Sequence, residues 1–236
     1  MTITIPNAAL LEIDVQNDFC PAYTAPSGER MPAGALAVAG GDAVIPPLNA
    51  LARRFAQEGG KVIATADWHP PDHVSFAASH PGKKPGDSVF LPPGGGRGKP
   101  QDGPMEQLLW ASHCVQGQAG ACFHALLDTD PAHLIIRKGY RKALDSYSAF
   151  FENDQATPTG LNGYLRGLPI DTVILGGLAE DYCVLYSALD ARRLGYRTIV
   201  VLDAVRGVGI PEGSVERARK TMENAGILLI QSKDIL

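Results

Sequence analysis

Three side chains able to carry out acyl chemistry stand at the ends of apolar runs, far apart in the chain. Cys183 follows Thr172-Val173-Ile174-Leu175-Gly176-Gly177-Leu178-Ala179-Glu180-Asp181-Tyr182, where a β-branched run passes through glycines into a helical stretch. That is a nucleophile's position. The first helical turn offers free N–H groups and a positive dipole end, which lower a thiol's pKa and can hold the oxyanion formed when a carbonyl is attacked. Asp14 closes the first apolar run in Glu12-Ile13-Asp14-Val15-Gln16-Asn17-Asp18-Phe19-Cys20. A carboxylate there can take a thiol proton, and it is also a good cap for the next segment, as is Asp18. Lys138 ends Leu134-Ile135-Ile136-Arg137, where lysines are commonly solvated unless a partner claims them.

A second constellation is Asp67-Trp68-His69. Residues i and i+2 of an extended segment point to the same side, so this acid and imidazole can share one cation. Three further histidines, His73, His80 and His113, are available as a third ligand. Two imidazoles and one carboxylate suit zinc, iron or manganese, with open positions for water or a substrate atom. The same set occurs in non-haem iron oxygenases, but there the histidine usually precedes the acid on a β-barrel, whereas here the acid comes first in an alternating α/β pattern.

The elements that must position these groups are legible as six apolar, β-branched runs: Ala8 to Val15, Lys61 to Ala66, His133 to Ile136, Thr172 to Leu175, Arg197 to Leu202 and Gly226 to Ile230. Several lack polar alternation, as strands covered on both faces do. Asp42 to Glu58, Asp181 to Leu194 and Glu212 to Ala225 carry apolar residues at helical spacing, the last with Pro211 at its first-turn position. Strand and helix alternate, which predicts a doubly wound α/β sheet whose ligands bind beyond the carboxyl ends of the strands. One domain over 1–236 is expected, interrupted by a loop over 81–103. That stretch holds seven glycines and five prolines and is read as irregular throughout.

Composition excludes several functions. Of the 236 residues, 45% are hydrophobic and 19% charged, which argues against disorder. A formal charge of −4 and the lack of basic blocks interleaved with aromatics give no field for nucleic acid. No segment approaches the roughly 18 to 20 apolar residues of a membrane span, and Met1 to Leu11 lacks the pattern of an export signal. The four cysteines lack the close spacing of zinc ribbons or redox dithiols, so reduced thiols and a cytoplasmic protein are expected.

These residues together resemble the nicotinamidases of the isochorismatase-like hydrolase superfamily. The resemblance runs over nearly the whole chain, in seven motifs: Asp14-Val15-Gln16-Asn17-Asp18-Phe19-Cys20, Asp67-Trp68-His69-Pro70, His73-Val74-Ser75-Phe76, His113-Cys114-Val115-Gln116-Gly117, Lys138-Gly139, Tyr147-Ser148-Ala149-Phe150 and Gly177-Leu178-Ala179-Glu180-Asp181-Tyr182-Cys183-Val184. It implies a six-stranded, mostly parallel sheet in a three-layer, Rossmann-type arrangement. It implies Asp14, Lys138 and Cys183 as a catalytic triad, and one divalent ion (zinc, iron or manganese) on Asp67, His69 and His113, with His73 a further candidate. An oxyanion hole from the N–H groups of Ala179 and Cys183, set up by a cis Leu178–Ala179 peptide, is also implied, as is a pyridine pocket of Phe19, Trp110, Tyr147, Leu178 and Tyr182.

The implied activity is hydrolysis of nicotinamide to nicotinate and ammonia through a thioester on Cys183, in NAD salvage. The metal would orient the pyridine nitrogen. Expected partners are nicotinamide and pyrazinamide, with no nucleic acid and no membrane; a homo-oligomer is left open. A metal-independent cysteine amidase for N-carbamoyl or ureido compounds would share the triad but not Asp67, His69 and His113. A silent pyridine-binding protein would have no use for an intact triad. Four residues depart from the pattern: Ala111-Ser112 replaces a proline-containing pair, Glu180 stands where threonine is frequent, and Glu12 puts a charge inside a central strand. Glu12 shares a face with Asp14, so if buried it must find a partner or raise its pKa.

Overall fold

A computed structural model describes residues 3–92 and 105–236. Its strands are β1 (Ala8–Ile13), β2 (Tyr23–Thr24), β3 (Arg30–Met31), β4 (Lys61–Asp67), β5 (Ser88–Leu91), β6 (Met105–Leu108), β7 (Leu134–Lys138), β8 (Thr172–Leu178), β9 (Arg197–Arg206) and β10 (Leu228–Ile230). Its α-helices are α1 (Ile45–Gln57), α2 (Leu161–Arg166), α3 (Leu185–Arg193) and α4 (Ser214–Asn224). Six strands make one sheet in the order β10-β9-β8-β1-β4-β7, and every pairing in it is parallel. All six runs read as strands in the sequence are in it.

Two cores explain the layering. Leu10, Val62, Ile174 and Val201 point from the sheet toward α1, which meets them with Leu48, Leu51 and Phe55. Their neighbours Leu11, Ile63, Val173 and Val200 point to the opposite face, where Leu165 of α2, Ala188 of α3 and Met222 of α4 cover them. A strand alternates its side chains between faces, so continuous apolar runs need helices on both sides. Chain order reverses between β1 and β8, and the crevice beyond that switch point is where a doubly wound sheet takes its ligand.

Several boundaries move from those expected. The stretch over 81–103 is not irregular throughout: Ser88–Leu91 pairs antiparallel with Met105–Leu108, because Val89, Phe90 and Leu91 supply a short apolar strand between the glycines. Residues 93–103 of that stretch lie outside the described residues. Pro211 does not open α4; it follows a cis bond to Ile210, and the helix begins at Ser214 after Gly213 in a left-handed conformation. Helix α2 carries no strong periodic signal in six residues and was not expected. Among the described residues no helix is long and apolar enough to cross a membrane, and all four cysteines are unpaired.

Candidate active site

The carboxyl edge of the sheet gathers the singled-out groups. Asp67 and Lys138 end β4 and β7 as register partners, so their side chains emerge side by side. Asp14 follows β1 at a φ of 48°, a left-handed conformation that aspartate tolerates better than most residues, and its N–H donates to Thr65 Oγ1 at 3.1 Å. Gly177, the next-to-last residue of β8, has a φ of 120° and lies so close to β1 that an added Cβ would be 2.1 Å from the Ile13 carbonyl oxygen. Only glycine fits, and this packing brings the Cys183 turn over the end of β1.

Lys138 is the hub. Its Nζ lies 2.8 Å from Asp14 Oδ2, 2.5 Å from Asp67 Oδ1 and 3.4 Å from Cys183 Sγ, and it donates to the Ser146 carbonyl at 3.0 Å. The contact with Asp14 Oδ2 is an ion pair at a poor hydrogen-bond angle, whereas Asp14 Oδ1 accepts from Thr65 Oγ1 at 2.6 Å. Ligand atoms of Asp14, Asp67 and Cys183 all lie within 4.8 Å of one another, so the ammonium fills a place that a metal ion would suit. Lys138 and Asp14 are fully buried.

Charge decides the protonation states. Burial alone would lower the Lys138 pKa, but Asp14 and Asp67 raise it well above the usual lysine value. Burial would raise Asp67, yet Lys138, His69 and His113 hold it well below the carboxylate range. Burial wins at Cys183, where the thiol is pushed far up despite Lys138, and at Asp14, which is also raised. A buried thiol next to a carboxylate with raised proton affinity is a donor matched to its acceptor.

The second cluster adjoins the first through Asp67. His69 Nε2 and His113 Nε2 lie 3.5 and 3.9 Å from Asp67 Oδ2. Each imidazole turns its Nδ1 to a backbone carbonyl, His69 to Gly139 and His113 to Ala111, both at 2.8 Å. Those bonds assign the proton to Nδ1 and leave both Nε2 lone pairs facing the Asp67 oxygen, an arrangement that fits a divalent ion. Burial and the neighbouring His69 lower the His113 pKa to about 4, so that ring is neutral, as a ligand must be. Burial also lowers His69, but Asp67 reverses the sign and raises it. His73 stacks on His69 with ring centroids 4.2 Å apart, but its nitrogens face Ser75 Oγ at 2.7 Å and the Leu144 carbonyl at 3.3 Å. It groups with His69 and Asp145, not with Asp67 and His113.

A cavity of about 350 Å³ opens onto Cys183, Asp67, His69 and His113. Phe19, Trp110, Tyr147 and Tyr182 line it, as the sequence suggested, with Trp110 and Tyr182 in an edge contact 4.9 Å between centroids. Leu178 does not line it. Its side chain is fully buried in the core on the α1 face, because the strand's alternation turns it away from the cavity. The Leu178–Ala179 peptide is cis, and Ala179 borders the cavity. In the turn that follows, the Ala179 carbonyl accepts the N–H groups of Tyr182 and Val184, each at 3.1 Å, in a widened closure that skips Cys183.

Sequence reasoning missed Asp145, Val208 and Ile210 on the cavity wall. Asp145, buried, receives Gln107 Nε2 at 3.1 Å; an acid two residues before Tyr147 was the available signal. Val208 and Ile210 arrive through Asp181, whose carboxylate accepts the N–H groups of Val208 and Gly209, both at 2.9 Å, and no periodicity announces such a link. Gln16 was also passed over: it brackets Asp67, donating to its carbonyl and accepting from its N–H, each at 2.8 Å.

An isochorismatase-domain family model matches residues 8–234. A nicotinamidase of Acinetobacter baylyi is 43% identical over 230 residues, covering 98% of this chain and 95% of that protein. A solved nicotinamidase and pyrazinamidase from Acinetobacter baumanii is 44% identical, with a TM-score of 0.84 over 98% of this chain and 99% of its own. A pyrazinamidase of Pyrococcus horikoshii, solved in complex with zinc, is 33% identical, with a TM-score of 0.69 over 96% and 99% of the two chains.

Proposed function

Since this chain belongs to the isochorismatase family, and its nicotinamidase relatives match it almost end to end, we propose that Asp14, Lys138 and Cys183 hydrolyse nicotinamide to nicotinate and ammonia, supplying NAD salvage. The supporting observation is one buried ammonium 2.8 Å from a carboxylate and 3.4 Å from a thiol that borders an aromatic cavity.

Asp14 takes the thiol proton as Cys183 Sγ bonds to the carboxamide carbon, and the carbonyl electron pair moves onto oxygen. The N–H groups of Ala179 and Cys183 receive that oxyanion, while Lys138 offsets the negative charge passing between sulfur and carboxylate. When the intermediate collapses, the C–N bond breaks and the proton on Asp14 goes to the leaving nitrogen as ammonia. Asp14 then takes a proton from water as its oxygen attacks the thioester; the C–S bond breaks to give nicotinic acid, the thiolate recovers the proton from Asp14, and the acid loses its own proton to solvent as nicotinate leaves. Phe19, Trp110, Tyr147 and Tyr182 hold the ring and exclude bulk water.

Asp67, His69 and His113 would hold one divalent ion, for which zinc suits the two imidazoles and one carboxylate. When bound, it supplies a Lewis-acid anchor for a ring nitrogen. Pyrazinamide, with a ring nitrogen at the equivalent place, fits the same cavity and is the second substrate. The whole chain acts as a single catalytic domain, and its unpaired cysteines suit the reducing cytoplasm.

Ammonia release from nicotinamide is the test. Cys183→Ala should lose at least about 10⁴-fold in kcat, since the covalent route is gone. Release at the normal rate would end the proposal.

A further inference from the structure

Glu180 opens the turn that carries Cys183, and it is only 1% exposed. Its carboxylate is gripped at both oxygens by Arg219 of α4: Nε donates to Oε1 at 2.6 Å and Nη2 donates to Oε2 at 3.0 Å. The guanidinium side chain itself remains 46% exposed. We propose that Arg219 is a positioning residue for the amide hydrolysis, fixing through Glu180 the turn that presents the Ala179 and Cys183 N–H groups and cancelling a buried negative charge beside them. The inference rests on the role proposed for Cys183.

Geometry carries the first half. Glu180 lies between the two N–H groups in the chain, so whatever fixes its side chain limits how they move relative to each other. The turn around it is a widened one, with the Leu185 N–H reaching back to the Glu180 carbonyl, and it lacks the regular ladder of an α-helix. Three successive side chains anchor it to one stretch of chain. Asp181 holds the N–H groups of Val208 and Gly209, the Tyr182 hydroxyl donates to the Ile210 carbonyl at 2.5 Å, and Glu180 holds Arg219. The Tyr182 anchor ends in a loop, whereas Asp181 also accepts the hydroxyl of Ser214, the first residue of α4, and Glu180 meets the same helix at Arg219, next to Ala218, which with Met222 is packed in the core.

Electrostatics carries the second half. A carboxylate kept from water and next to the oxyanion site would oppose the negative charge that develops there, unless a cation neutralises it. Arginine's planar fork meets both carboxylate oxygens at once, which a lysine cannot do. An acid at this position without an arginine opposite it would therefore work against the reaction it adjoins.

The experiment compares wild type, Arg219→Met, Arg219→Lys, the Glu180→Thr/Arg219→Met double variant and Cys183→Ala. Ammonia release from nicotinamide is followed below the thermal midpoint of every protein. Arg219→Met should lower kcat about tenfold with KM within about twofold, because the deficit belongs to the transition state. Arg219→Lys should lower kcat about threefold, keeping charge but losing the fork. Removing the orphaned carboxylate in the double variant should recover at least about threefold of the loss. An Arg219→Met kcat within twofold of wild type, a loss confined to KM, or a double variant no faster than Arg219→Met overturns the inference. If Arg219→Met does not fold, Arg219→Lys decides, and a wild-type kcat there overturns it equally. An active Cys183→Ala protein would instead remove the underlying reading, whichever way the arginine series falls.

Discussion

Strand β1 contains one buried acid and is followed directly by another, and the two keep different company. Asp14, at the carboxyl edge, is fully buried with Lys138 and Thr65 against it, inside a cluster that also holds Asp67, His69 and His113. Glu12, two residues back, is equally buried, but neither of its oxygens has a partner among the described residues. Its strand neighbours are Ala64 and Gly176, which leave room for its side chain and offer it no polar group. The edge and the interior of one sheet thus treat buried charge differently. At the edge a cation opposes burial: burial raises Asp14 with Lys138 working against it, and at Asp67 burial is overcome by Lys138, His69 and His113, which hold that carboxyl well below the usual range. In the interior, desolvation wins, with a further push from Asp128, and raises the Glu12 pKa to about 8, so the group is held neutral.

The largest effect that would break this contrast comes from removing the cation. Lys138→Met should abolish detectable ammonia release, a loss of about 10³-fold or more in kcat, and destabilise the fold by roughly 3–5 kcal/mol through uncompensated carboxylates. Urea unfolding beside the activity assay checks both; a stable and active Lys138→Met protein would mean that the edge cluster is not charge-coupled at all.

Gly139 sharpens the comparison at intermediate size. It has a φ of 62°, and a Cβ there would sit 2.5 Å from His69 Cε1, so Gly139→Ala must push the imidazole off its line. Loss of about 10- to 100-fold in zinc affinity is expected, read by competition with a chromophoric chelator, with stability lowered by about 1–2 kcal/mol. Unchanged affinity would show that the ring's orientation is set elsewhere.

The smallest effect lies in the interior and has the opposite sign. An acid whose folded pKa lies above its unfolded value contributes stability at low pH that is lost as pH rises through the folded value. For Glu12 that window runs from the ordinary glutamate value of 4.5 to about 8. Glu12→Leu should therefore be more stable than wild type by about 2 kcal/mol at pH 8.5, with the gain shrinking toward pH 5. Denaturation midpoints at the two pH values test it, and a gain that did not grow with pH would mean Glu12 has found a partner.

Much of the fold could be read from residue order because burial on both faces writes itself as uninterrupted apolar runs, and all six sheet strands came from that pattern. Helix α2 escaped because six residues are too few to show a period, and the β5–β6 hairpin because its short strand sits among glycines and prolines. In the site, Asp67 and Lys138 were visible since they terminate strands, and Asp14 and Cys183 since they follow strands closely, where an open parallel sheet meets its ligand. Asp145, Val208, Ile210 and the Arg219 grip on Glu180 were not, because each depends on side-chain contacts between segments with no common spacing.

The amino-acid sequence alone determined which strands form the central sheet, that they are parallel and doubly covered, and which residue types stand near their ends, all consequences of periodicity and chain direction. Only the tertiary structure decided that one lysine serves two carboxylates and a thiol, that Leu178 turns into the core, and that Glu12 has no hydrogen-bond partner among the described residues. Pairing at a distance of 2.5 to 3.4 Å is a property of packed space, and positions along a chain do not encode it one residue at a time.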